Sequence, residues 1–78
     1  MSVTVLYFAS LRDAAGLDRE QLPQPASLRA LYDELRARHA LPMAADRLRV
    51  AMDGAFCSWD APVREGAEIA FIPPVSGG

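Results

Sequence analysis

The sequence predicts a small two-layer α+β domain, a mixed sheet of four or five strands with one main helix packed on one face. Three observations carry this. Strand-like stretches recur at 3–9, rich in β-branched and aromatic residues, at 48–52, where apolar residues alternate with Arg49 and Ala51, and at 67–72. A single amphipathic run follows Ser27. An Asp53-Gly54 pair sits between two apolar segments, a strong hairpin-turn signal.

Taken in order, residues 3–9 (Val-Thr-Val-Leu-Tyr-Phe-Ala) read as the first strand, and 10–16 as one short helical turn closing on Gly16. Residues 17–22 read as a second, edge-like strand, because Pro23 and Pro25 follow and cannot donate to a sheet ladder. The helix begins after Ser27, a preferred N-cap. Leu28, Leu31, Tyr32 and Leu35 then fall at i, i+3, i+4 and i+7, opposite Arg29, Asp33, Glu34 and Arg36. His39 lies in its last turn, where a cation favours the helix dipole, and Pro42 sets its end. Leu48, Val50 and Met52 alternate with Arg47, Arg49 and Ala51. Residues 55–59 return as a strand, 60–66 form a loop, and 67–72 make the last strand. The whole is one domain over 1–78, with 73–78 as a flexible C-terminal tail released by Pro73 and Pro74.

One helix covers only one face of such a sheet. With Val3, Val5, Tyr7, Leu48, Val50, Met52, Ile69 and Phe71 toward the helix, period-two alternation sends Leu6, Phe8, Phe56, Ala70 and Ile72 to the other side. A register slip of one residue would swap the faces. Contiguous apolar surface on a small domain marks a binding site, and the tail leaves beside it.

Composition narrows the function. At 78 residues there is room for one thin core. Net charge is −2, and the arginines are interleaved with ten acids, which argues against a nucleic-acid partner. No apolar run approaches the roughly 20 residues of a membrane span, and no basic-then-apolar leader opens the chain, so the expectation is a cytoplasmic protein with no membrane partner. The one cysteine, Cys57, permits no internal disulfide or cysteine-based zinc site and reads as a small buried hydrophobe. No residues suggest a metal site, a phosphate-cradling loop or a nucleophile–base pair. The expectation is therefore no bound cofactor and no catalysis by the chain alone.

The chemistry then falls to the carboxylate of Gly78. Gly77 and Gly78 carry no side chains and can thread a channel too narrow for other residues. A carboxylate is a poor acyl donor until activated, as by adenylation, and with no nucleotide site here the ATP must be used by a separate enzyme. Sulfur attack on the adenylate gives a terminal thiocarboxylate. Amine attack gives a protein conjugate.

The opening Val5-Leu6-Tyr7-Phe8-Ala9-Ser10-Leu11-Arg12 run, the Asp-Gly hairpin, the segment from Ser58 to Phe71 and the closing Ile72-Pro73-Pro74-Val75-Ser76-Gly77-Gly78 together resemble the small subunits of molybdopterin synthases. These are sulfur carriers of the ubiquitin-like β-grasp family. The resemblance spans nearly the whole chain and implies a β-grasp fold. It also implies that Gly78 is adenylated by an activating enzyme similar to ubiquitin-activating enzymes, receives sulfur from a sulfur-donating protein, and delivers it as a thiocarboxylate to cyclic pyranopterin monophosphate. Delivery takes place within a large synthase subunit, in a heterotetramer. Gly77 takes the slim penultimate role, and Phe8, Phe56, Ile72, Pro73, Pro74 and Val75 contact the large subunit. The family often carries an aromatic where Ile72 stands. A related carrier for thiamine, cysteine or tRNA thiolation, a ubiquitin-like protein modifier, and an interaction domain with an inert tail remain open on the sequence.

Overall fold

The computed structural model describes residues 1–74. In chain order the elements are β1 (Ser2–Tyr7), α1 (Ala9–Ala15), β2 (Arg19–Pro23), α2 (Leu28–His39), a 3-10 turn (Ala45–Arg47), β3 (Arg49–Met52), β4 (Ala55–Cys57) and β5 (Glu68–Ile72). The strands form one five-stranded sheet in the order β2-β1-β5-β3-β4. β1 runs antiparallel to β2 and parallel to β5, while β3 runs antiparallel to both β4 and β5. The mixed sheet expected from the sequence is thus present, with β5 at its centre. Pro73 and Pro74 therefore leave from the middle of the sheet.

The long helix starts as its sequence dictates, for the Ser27 hydroxyl accepts a hydrogen bond from the Ala30 N–H at 3.0 Å. It ends earlier than Pro42. Ala40 turns left-handed at φ 53° and donates its N–H to the Arg36 carbonyl, which also accepts from Leu41 at 3.2 Å. Proline two residues on only bars a restart. Leu28, Leu31, Tyr32 and Leu35 are all buried, against Val3, Val5, Val50, Ile69 and Phe71 from the sheet.

Other boundaries moved for local reasons. The segment read as one helical turn is the full helix α1, entered through Ala9 at φ 50° and closed by Gly16 at φ 77°. β2 begins at Arg19 rather than 17 and runs through Pro23, which pairs with Ser2 on the sheet edge, where a missing N–H breaks no outward ladder. β4 stops at Cys57, because Ser58 draws the chain into a turn. Its hydroxyl accepts from the Asp60 N–H at 3.1 Å and its carbonyl from Ala61 at 3.0 Å. Trp59 therefore leaves the strand and stacks on Phe71, with ring centroids 5.5 Å apart, while Tyr32 packs against both. This aromatic trio closes the core between sheet and α2.

At the hairpin, Asp53 and Gly54 both take positive φ, 53° and 86°, as a tight primed turn requires. The Asp53 carboxylate accepts from Arg64 at 2.7 Å and from the Glu68 N–H at 2.9 Å, tying the turn to the start of β5.

Candidate functional site

Paired residues share a face, so the register defines what lies opposite α2. Arg19, Leu6, Ala70, Ala51 and Phe56 form one row across all five strands. Ile72 and Arg49 pair in the next row toward the tail, and Phe8 continues β1 past Leu6 on the same side. The two alanines place short side chains at the centre, and Leu6, Phe8, Phe56 and Ile72 stand around them. The result is a concavity of about 210 Å³, with Glu68 and Gly54 at its far end. Ala51 and Ala70 are each only 8% exposed, shielded by these larger neighbours. Phe8 and Phe56 are 45% and 59% exposed and, with Met1, are the exposed large apolar residues among those described. Alternation thus assigned both faces correctly.

Phe8 is displayed by the β1–α1 junction. Its backbone stays extended (φ −127°, ψ 149°), then Ala9 swings left-handed into α1, and the Phe8 carbonyl accepts from Leu11 at 3.0 Å and Arg12 at 3.3 Å. An alanine at positive φ costs on the order of 1 kcal/mol, so neighbouring contacts must hold the turn. One such hold is on the other face. There Tyr7 donates its hydroxyl to Glu20 at 2.8 Å, His39 Nε2 lies 2.9 Å from the same oxygen, and Arg38 reaches the second Glu20 oxygen at 3.3 Å. Burial, and next the Glu20 hydrogen bond, push the Tyr7 hydroxyl pKa well above the usual tyrosine value. Burial alone would raise Glu20, but the His39 and Tyr7 hydrogen bonds and the His39 and Arg38 charges outweigh it and hold its carboxyl below the glutamate range. The cluster joins β1, β2 and the end of α2 just before Phe8.

The tail root borders this face. Phe8, Ala9, Ser10, Met43, Ile72, Pro73 and Pro74 line a second hollow of about 500 Å³. Ile72 and Pro73 are half-buried and Pro74 is exposed. Of the residues the sequence singled out, Phe8, Phe56, Ile72, Pro73 and Pro74 thus lie around one end of the sheet. Val75, Gly77 and Gly78, with most of the tail read over 73–78, lie outside the described residues. Cys57, expected to be buried, is half-buried against the core, because its edge strand leaves one flank open. Among the described residues no His, Cys, Asp and Glu group is placed to hold a metal ion, and no helix is long and apolar enough to cross a membrane.

Sequence reasoning missed four contributors. Met43 reaches the tail root through a loop no pattern predicts. Ala51 floors the concavity. Arg49 lays its guanidinium over Phe56, 4.4 Å from the ring centroid, and Arg19 stands beside Leu6. The signal for Arg49 and Ala51 was present, since they alternate with Val50 and Met52 and so had to face away from the helix.

Residues 5–78 match the model of the ThiS family. The molybdopterin synthase sulfur carrier subunit of Escherichia coli (strain K12) is 34% identical over 80 residues, covering 97% of this chain and 99% of that protein. A solved structure from Pyrococcus furiosus, provisionally described as molybdopterin converting factor subunit 1, superposes with a TM-score of 0.78. It is 32% identical and the match covers 95% of this chain and 98% of that one. Subunit 1 or 2 in a complex of both subunits of the Helicobacter pylori 26695 molybdopterin-converting factor matches end to end at a TM-score of 0.71 and 22% identity, a likeness of fold.

Proposed function

The chain belongs to the ThiS family, and from that membership we propose that it is the sulfur carrier subunit of a molybdopterin synthase. The observation that carries the reading is the open apolar concavity bordering the root of the tail on the central strand. The near full-length likeness to a relative named as such a subunit supports the same choice.

In this reading the Gly78 carboxylate attacks the α-phosphorus of ATP inside a separate adenylating enzyme and releases pyrophosphate. A persulfide on a donor protein then attacks the acyl carbon and expels AMP, and a thiol cleaves the resulting acyl disulfide, forming a new disulfide and leaving a terminal thiocarboxylate. The chain itself holds no cofactor and works in the cytoplasm. Phe8, Phe56 and Ile72 dock on the large synthase subunit, Pro73, Pro74 and Val75 lead away from that contact, and Gly77 passes the narrowest part of the channel. Six residues, 73–78, span at most roughly 20 Å, enough to enter a buried site where the sulfur passes to cyclic pyranopterin monophosphate.

The test uses chemically prepared terminal thiocarboxylates of the parent chain and of a chain extended by one residue after Gly78. Each is mixed with the large subunit and the precursor, and dithiolene formation is followed. The extension moves the reacting carbon by about 3.5 Å, where an error of about 1 Å can already cost a hundredfold, so the extended chain should be inactive. An inactive parent, or an extended chain at parental rate, overturns the proposal. Intact mass of the chain from its own cells adds a second check. A sulfur-for-oxygen exchange fits a carrier, whereas a ladder of conjugates makes the chain a modifier.

A further inference from the structure

The open face carries a charge pattern that its apolar residues do not explain. Arg12, Arg29, Arg38 and Arg64 each have a carboxylate within ion-pair distance. Arg19 and Arg49 have none among the described residues, and the register puts both on this face, Arg19 beside Leu6 and Arg49 beside Ile72. Among the described residues Arg47, in the turn entering β3, also lacks one, and so does Arg36 on α2, whose Nε instead donates to the Leu41 carbonyl at 3.4 Å. The acid lining the concavity is Glu68, at the end away from the tail. A chain of net charge −2 thus frames the tail end of its docking face with positive charge.

Arg49 is held in place. Its guanidinium rests on Phe56 at 4.4 Å, an arrangement that fixes the plane of the group and leaves its N–H edges free for an acceptor. Three strand spacings and a two-residue offset along the strands set Arg19 and Arg49 roughly 16 Å apart, one on each side of the apolar centre. We infer that the occupant of this face presents an apolar patch flanked by carboxylates that pair with Arg19 and Arg49, and that this occupant is the large synthase subunit. The inference rests on the docking reading proposed above. A second copy of this chain fits poorly, because it would bring two arginines against two arginines with Glu68 and Asp18 in return, the latter already paired with Arg12 at 3.8 Å. Rim pairs of this kind set association rate and specificity and are screened by salt, whereas the apolar centre is not.

The experiment measures the affinity of the intact chain for its own large subunit at about 50 and about 500 mM salt, where screening lengths differ about threefold. The parent should weaken with salt. Arg19→Gln and Arg49→Gln should each weaken low-salt binding about threefold, and together about tenfold with most of the salt dependence gone. Arg49→Lys should keep the salt dependence, since charge rather than shape carries it. Parental affinity and salt slope in the double variant overturn this inference while leaving docking intact, and so does a loss confined to binding of the activating enzyme. Salt-insensitive binding by the parent overturns it without any variant. Self-association of the parent through this face assigns the surface to a second copy, and failure of the parent to bind the large subunit removes the docking reading itself.

Discussion

Truncating Phe56 to alanine separates docking from folding. The ring is 59% exposed in the free chain, so of roughly 200 Å² for a phenylalanine about 120 Å² remains for a partner to cover. At about 25 cal/mol per Å² that area is worth about 3 kcal/mol, or about a 150-fold rise in Kd. Phe8 is 45% exposed, which gives about 90 Å² and about 2 kcal/mol, so Phe8→Ala should weaken binding less. Neither change should cost the isolated domain much. Phe56 lies on an edge strand opposite Ala51 with the Arg49 guanidinium over its ring, a stack worth about 1 kcal/mol or less at an exposed site. Titration calorimetry against the large subunit gives the first quantity and denaturant unfolding the second. An affinity for Phe56→Ala within about threefold of the parent would refute the reasoning. So would a loss of stability of about 3 kcal/mol with no change in affinity, since the ring would then belong to the core.

Two further outcomes follow from local structure. Ala40→Gly should raise the denaturant midpoint and stabilise the domain by about 1 kcal/mol, because Ala40 ends α2 at φ 53°, where glycine meets no β-carbon penalty. No change, or a loss, would mean that this helix end carries no strain. Glu20 should make the domain acid-sensitive. Its folded pKa is held below the unfolded one, so its contribution is present above the unfolded value and is lost as pH falls through the folded value. Unfolding free energy should fall below about pH 4.5 in the parent and fall less in Glu20→Gln, which keeps the shape but loses the titration; parallel pH profiles would sink the assignment.

The fold was legible where one local rule governs a segment. Ser27 with its apolar stripe, the Asp53-Gly54 turn and the period-two strands each specify their element with little outside help. The same alternation placed Phe8, Phe56 and Ile72 on the open side, because side-chain direction in a strand needs only the register. What escaped depends on distant partners. Sequence spacing placed Trp59 in a strand, yet its packing on Phe71 and Tyr32 is a tertiary event. The Glu20 cluster joins residues from β1, β2 and α2, so no single window contains it. Arg19 and Arg49 looked like ordinary solvated charges until pairing set them on either side of the apolar centre. Helix α1 starts one residue before the Ser10 expected from the sequence, because Ala9 enters it at positive φ, a conformation that no propensity assigns to alanine.

In the proposed function, a reactive Gly78 following β5 couples two steps that respond differently to damage. β5 is the middle strand, so a partner seated on the open face already holds the root of the tail, and six residues carry the terminus the rest of the way. Docking supplies a high local concentration of the terminus, and the tail supplies its position. A face variant such as Phe56→Ala weakens the first step only. It should therefore recover parental turnover once the large subunit is raised above the weakened Kd. A one-residue extension after Gly78 leaves docking intact and misplaces the carbonyl, so no concentration of partner restores it. Rate curves against large-subunit concentration thus distinguish the two kinds of defect, a shifted midpoint for the face and a lowered plateau for the tail. If Phe56→Ala lowered the plateau instead, the face would be positioning the terminus as well as binding, and the division of labour between sheet and tail would be wrong.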